Sequence, residues 1–150
     1  MKIVIAADHG GYEMKQQLIK WLKEEHNIIL EDLGNYQYDS KDDYPDFASA
    51  VASRVSEKTA DKGIVLCGSG VGACVASNKF KGVRACVCHD TYSAKQGVLH
   101  DDMNILCMGA RIIGIELAKE LVSGFINTSF SNEERHVRRL EKVMSFEKNN

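Results

Sequence analysis

The sequence predicts an α/β fold: a three-layer, doubly wound, five-stranded parallel sheet of the Rossmann or flavodoxin kind, with an extra C-terminal helix. Two observations carry this. Short apolar runs alternate with longer stretches of helical periodicity, and no linker-like or low-complexity segment interrupts them. The 150 residues sit near the commonest domain size, so one domain spanning 1–150 is expected.

The elements follow in order. Residues 2–7 form the first strand, and 12–26 carry Met14, Leu18, Trp21 and Leu22 at helical spacing. Residues 28–33 form the second strand. The next helix, 46–59, repeats Phe47, Ala50, Val51 and Val55, with Pro45 just ahead of it, where a helix start tolerates proline. Strands at 63–67, 84–88 and 104–108 alternate with helices at about 70–79 and 91–99, and helices at 112–126 and 132–148 close the chain.

Composition excludes several function classes. A net charge of −2 provides no field for a broad nucleic-acid surface, and no stretch reaches a membrane-spanning length. The apolar run 3–7 is too short for a signal sequence. Five cysteines, Cys67, Cys74, Cys86, Cys88 and Cys107, make an odd set without a CxxC pair, which fits reduced thiols in a cytoplasmic protein. Cys86 and Cys88 share a strand face without further ligands at zinc-site spacing, so both are expected in the core and no metal is expected.

Ligands of such sheets bind beyond the carboxyl ends of the strands. Those ends carry Asp8-His9-Gly10-Gly11, Cys67-Gly68-Ser69-Gly70-Val71-Gly72, His89-Asp90 and Gly109-Ala110-Arg111. Taken singly, a Gly-Gly is a turn and a strand-end cysteine is core; together at one rim they point to chemistry. The glycine-rich turn opens a helix, whose unpaired N–H groups favour an anion such as a phosphate or an enediolate. Cys67 directly precedes that turn, a placement that favours the thiolate as nucleophile or base.

As a pattern, Gly68 to Ala73 also satisfies a dinucleotide-binding fingerprint, with Asp90 at about the expected distance. Against this, the fingerprint usually follows the first strand of its fold, and it leaves Cys67 unexplained. His100 is a candidate proton donor, weighed against a solvated helix-end histidine. Arg135 and Arg139 are four apart on one helical face and can clamp a phosphate, or form a basic face balanced by Glu133, Glu134 and Glu141.

Taken together, these segments, with Asp43-Tyr44-Pro45, Ser77-Asn78-Lys79, His100, Asn104 and Arg135-His136 with Arg139, resemble the type B ribose-5-phosphate isomerases, relatives of the galactose-6-phosphate isomerase subunits. The resemblance spans nearly the whole chain. It displaces the dinucleotide reading and implies a metal-free, cofactor-free aldose-ketose isomerase of a phosphorylated sugar. By the resemblance Cys67 moves the proton between C1 and C2, and His100 opens the sugar ring. Gly68, Ser69, Gly70, Val71 and Gly72 form the anion hole, Asp8 and Tyr44 contact hydroxyls, and His9, Arg111, Arg135 and Arg139 hold the phosphate. A homodimer or homotetramer with the site between subunits is also implied.

The chain departs from the family at His100-Asp101-Asp102, where an asparagine commonly follows the histidine. Two unit charges about 4 Å apart at an effective dielectric near 20 interact by roughly 4 kcal/mol, so a carboxylate beside an enediolate opposes it. Asp101 is therefore expected either to point away or to donate a hydrogen bond in protonated form. The preferred reading is interconversion of ribose 5-phosphate and ribulose 5-phosphate. The alternatives are a six-carbon sugar phosphate isomerase and a non-catalytic sugar-phosphate or nucleotide-binding protein. Of the five cysteines, Cys67 is expected to alkylate most readily.

Overall fold

The computed structural model describes residues 1–25 and 28–148. Its elements are β1 (Lys2–Ala7), α1 (Tyr12–Glu25), β2 (Ile29–Asp32), α2 (Tyr44–Ser56), β3 (Lys62–Cys67), α3 (Val71–Ser77), β4 (Ala85–Val87), α4 (Thr91–Asp101), β5 (Ile105–Gly109), α5 (Ile115–Asn127) and α6 (Glu134–Phe146). The five strands pair in parallel in the order β2-β1-β3-β5-β4. This is the α/β architecture the sequence predicts, with element ends shifted by up to three residues. Residue 26, the last of the predicted first helix, lies outside the described residues.

Strand side chains alternate between two cores, as a sheet covered on both faces requires. Ile3, Ile5, Ile64, Leu66, Leu106 and Met108 face α1, α4 and α5 and meet Leu18, Leu22, Val98, Leu121 and Phe125. Val4, Ala6, Val65, Cys67, Ile105 and Cys107 face α2 and α3. Each Ile or Leu fully buried in these clusters contributes about 1.5–3 kcal/mol. Among the described residues no helix is long and apolar enough to cross a membrane.

Two local expectations change. Helix α2 begins at Tyr44, with Pro45 inside its first turn, and its buried face is Ala48, Val51, Ala52 and Val55 rather than the predicted set with Phe47 and Ala50. The alanines let the helix lie against β3, where Gly63 has no Cβ to meet Val51. The second change concerns the cysteine pair. Cys88 is buried, but Cys86 is exposed, because β4 is a three-residue edge strand whose outer face lacks a full helical cover.

Register fixes what meets at the rim. Ala7 pairs with Leu66 and Cys67 with Gly109, so the carboxyl ends of β1, β3 and β5 stand side by side. The chain crosses one way from β1 to β2 and the other way from β3 onward, which makes the β1/β3 boundary the switch point where such sheets bind ligands.

Candidate active site

A cleft of about 310 Å³ opens at that boundary, lined by Asp8, Tyr44, Cys67, Gly68, Ser69, Gly72, Arg111 and Ile112. The β-ladder continues past the strands to shape it: Ala110 N–H donates to the Cys67 carbonyl at 2.9 Å and Arg111 N–H to the Gly68 carbonyl at 3.1 Å. Arg111 thereby lies over Gly68, where an added Cβ would come within 3.1 Å of its guanidinium.

Cys67 is 4% exposed, and its Sγ accepts a hydrogen bond from Gly70 N–H at 3.0 Å. Gly70 caps α3 with a φ of +81°, a left-handed conformation that turns its N–H back toward the sulfur. A side chain there would be strained and would also approach the Met108 carbonyl carbon at 2.9 Å. Val71 N–H donates to the Ser69 hydroxyl oxygen at 3.3 Å. Gly72 accommodates the Tyr44 ring, which an added Cβ would meet at 2.8 Å. The glycines thus present backbone donors beside a sulfur, under an aromatic wall.

Asp8 is nearly buried and accepts from Gly10 N–H at 2.8 Å and Gly11 N–H at 3.2 Å. Burial raises its carboxyl above the ordinary value, and the two N–H donors counter part of that rise. His9 Nδ1 lies 2.6 Å from Asp42 Oδ1, and this hydrogen bond raises the imidazole above its ordinary value. Asp8, His9 and Asp42 bring one potential ligand atom each within 4.8 Å of one another. Asp8 Oδ1 accepts from two glycine N–H groups, and Asp42 accepts from His9 and Asn35. The geometry is that of a hydrogen-bonded cluster.

His89 and Asp90, at the same rim, have structural partners. His89 Nε2 accepts from Gly109 N–H at 2.9 Å, and Asp90 caps α4 by accepting from Ser93 N–H at 2.7 Å. The Asp90 carboxylate thus has its own task, at the end of β4, which β5 separates from β3.

The other site residues predicted from sequence gather elsewhere in the same chain. Helix α4 runs back antiparallel to the strands, so His100 and Asp101 at its end lie at the amino edge of the sheet. At about 3.3 Å per residue, the five residues of β5 place the two edges roughly 15 Å apart. The α4 end is fixed by Asp102, left-handed at φ 50°, whose carbonyl and carboxylate each receive a 2.7 Å bond from Arg84.

His100 Nδ1 lies 3.0 Å from the Gln96 side-chain amide. The His100 ring stacks on His136 of α6 with centroids 4.0 Å apart. His136 is itself buried, bonded to Ser131 Oγ at 2.6 Å, and burial holds its imidazole below the ordinary value. Arg135 and Arg139 are exposed on α6, with Arg135 paired to Glu133 at 2.9 Å. Asp101 is exposed and borders a groove with Arg84, Cys86 and Gln96. Within one protomer it lies with His100, apart from the Cys67 cleft.

One protomer therefore holds two groups: Asp8, His9, Tyr44, Cys67, Gly68 to Gly72 and Arg111 at the carboxyl edge, and His100, Asp101, Arg135 and Arg139 on α4 and α6. Sequence reasoning missed Asp42 and Asn35. Both lie in the irregular 33–43 loop, where no periodicity signals which side chains turn inward.

Known proteins share this fold across the whole chain. The type B ribose 5-phosphate isomerase of Trypanosoma cruzi superimposes with a TM-score of 0.95 at 41% identity, covering 100% of both chains. Ribose-5-phosphate isomerase B of Escherichia coli (strain K12) is 38% identical over 146 residues, 97% of this chain and 96% of that protein. D-erythrulose-4-phosphate isomerase 2 of Mycolicibacterium smegmatis is 35% identical over 148 residues, 98% of this chain and 97% of that protein. Residues 3–143, from the first strand through most of α6, match the ribose/galactose isomerase family model, and with the rim and glycine loop described above the chain belongs to that family.

Proposed function

We propose that the protein interconverts ribose 5-phosphate and ribulose 5-phosphate through an enediolate, with Cys67 as the base. Family membership makes the chain a sugar-phosphate isomerase; the pentose and the thiolate base are the further step. The observation that carries it is Cys67 Sγ on the floor of the cleft, 3.0 Å from Gly70 N–H and beside the backbone donors of the glycine loop.

In the open-chain aldose, Cys67 Sγ takes the proton from C2. The C–H electron pair becomes the C1–C2 double bond, and charge moves onto O1. The loop N–H groups meet that charge, each such donor being worth about 3 kcal/mol in the transition state. The thiol then returns the proton to C1 while the O2 hydroxyl proton leaves, O1 is protonated, and C2 becomes the ketone carbonyl. Asp8, Tyr44 and Arg111 line the same cleft; the first two contact the hydroxyls, and Arg111 holds the phosphate together with His9, which lines the adjoining cavity.

Ring opening and the remaining phosphate contacts fall to His100, Arg135 and Arg139, supplied by a second copy of the chain in a homodimer or homotetramer. Exposed apolar residues around the cleft support such docking: Tyr44, Val71, Val75 and Ile112 are each 42–59% exposed. Neither metal nor cofactor enters this scheme.

A coupled assay with chelator present and nicotinamide absent, comparing ribose, allose, galactose and erythrulose phosphates, tests the substrate. Turnover confined to a hexose or tetrose phosphate removes the pentose reading. The tetrose is the second reading, favoured by the erythrulose-phosphate isomerase among the relatives.

The phosphate clamp makes its own prediction. Arg139 is exposed, so Arg139→Ala is expected to leave stability unchanged while weakening ribose 5-phosphate and free phosphate together, by about 10- to 100-fold, because a guanidinium-phosphate pair is charge-assisted. Binding of unphosphorylated ribose stays as in the parent. Calorimetric titration with the three ligands checks this, and parental phosphate affinity in the mutant makes Arg139 only part of a solvated face.

A further inference from the structure

We propose that Asp42 is a positioning residue of this site: its carboxylate, itself held by Asn35, grips His9 at two points and aims the Nε2–H of the imidazolium at the phosphate of a bound sugar phosphate. Asp42 Oδ1 accepts from His9 N–H at 2.9 Å and from His9 Nδ1 at 2.6 Å, so one oxygen fixes both the backbone and the ring. Oδ2 accepts from Asn35 Nδ2 at 2.6 Å. The Asp42 side chain is 9% exposed, whereas the His9 ring remains 28% exposed, so the support is hidden and the imidazole is presented.

The support is anchored in the sheet. Asn35 N–H donates to the Ala7 carbonyl at 2.9 Å, and the Asn35 carbonyl receives the buried Lys15 ammonium at 2.7 Å. Lys15 also holds Asp32, at 2.7 and 3.0 Å. With Nδ1 committed to Asp42, only Nε2 is left for a ligand, the arrangement in which a carboxylate sets the tautomer and the aim of an imidazole.

The titratable groups around the ring come from four segments. Asp42 and Tyr38 belong to the 33–43 loop, Asp8 precedes His9, Glu13 of α1 lines with His9 and Tyr38 the cavity adjoining the Cys67 cleft, and Arg111 follows β5. Asp42 and Asp8 favour the cation while Arg111 opposes it, and the balance keeps His9 above its ordinary value. The imidazolium therefore persists to higher pH than a free histidine and is lost as pH rises through the raised value. Without the Asp42 carboxylate, that loss comes at lower pH.

The proposal rests on the sugar-phosphate isomerase reading, and its test separates the two. Asp42→Asn is expected to raise KM for ribose 5-phosphate about tenfold near pH 7.5 with kcat within about twofold, since a charge-assisted contact made in ground and transition states alike is weakened. The KM gap narrows as pH falls and His9 becomes protonated in both proteins. The titration of the phosphate itself is common to both. Asn35→Ala, which releases Oδ2, is expected to shift KM in the same pH-dependent way by a smaller factor, and it carries the test if Asp42→Asn does not fold. Nitrogen-edited NMR of the His9 ring is expected to show its titration at lower pH in the variant.

Parental KM and pH profile in both variants, or a kcat loss that is uniform in pH, overturns the proposal. If the parent turns over no sugar phosphate, the functional reading fails alone. The NMR comparison then decides on Asp42: a His9 titration shifted down upholds it and an unshifted one overturns it.

Discussion

Cys67→Ala is expected to fold as the parent does and to lose about two to four orders of magnitude in kcat, the size of a general-base contribution of about 10²–10⁴. The structural cost is small. The substitution removes one sulfur from a residue packed among Val65, Ala73 and Cys107, and leaves Gly70 N–H without its acceptor. Together these amount to about 1–2 kcal/mol, which a cooperative fold absorbs. Everything else in the cleft remains, including the glycine loop, Asp8, Tyr44 and Arg111, so substrate affinity should hold while proton transfer stops. Thermal unfolding, ribose 5-phosphate binding and a C2 proton-exchange assay run on the same preparation separate these outcomes. Turnover within a few-fold of the parent removes Cys67 from the mechanism.

Alkylation offers a weaker probe than the sequence suggests. Cys86 is exposed, and a hydrogen bond from the Cys88 thiol pulls it down to about 7, so it competes for reagent with the nearly buried Cys67. Cys74 is likewise drawn down to about 7 by its bond with Cys107. The informative quantity is protection of Cys67 by sugar phosphate, read site by site by mass spectrometry, and not the rank of its labelling rate. The edge position of β4, invisible in a local run of small and apolar residues, is what changed this expectation.

Legibility followed periodicity. Lys2–Ala7 and Lys62–Cys67 read as strands because nearly every residue is buried on one face or the other, and the turns after them stood out because buried strands end abruptly in Asp-His or glycine. The phase of α2 was less clear. Phe47 outweighs Ala48 and Ala52 in hydrophobicity, yet close approach to Gly63 selects the alanines. Asp42 and Asn35 were not legible, since their roles come from a loop that folds back on β1 without a repeating pattern.

The division of the site into two groups was legible in principle. A helix that follows a parallel strand returns to the opposite edge, so a residue at the end of α4 cannot share a rim with one at the end of β3. Helical topology alone thus sets His100 apart from Cys67 in one chain. The same reasoning turns the separation into a requirement: if both act on one substrate, two chains must supply them.

That requirement predicts complementation between inactive variants. On the proposed mechanism Cys67→Ala lacks the base and His100→Ala lacks the ring-opening acid, so each homo-oligomer should be nearly silent, the second by about 10²–10⁴. Co-expressed in equal amounts with distinct tags, half of the dimers would be hybrids. In an isologous hybrid, one site pairs the intact Cys67 of one protomer with the intact His100 of the other, while the second site carries both defects. Activity per protomer should therefore recover to about a quarter of the parent's, and purified hybrids should reach about half. If both groups served a site within one chain, every site in the hybrid would keep one defect and no recovery could occur. Co-expression of the parent with the doubly substituted chain supplies the control: its hybrids pair each intact group with a defective partner, so between-chain sites are silent in them, whereas within-chain sites would leave the parent protomer fully active. Recovery in the first mixture together with silence in the second set of hybrids assigns the site to the interface, and the reverse pattern assigns it to the single chain.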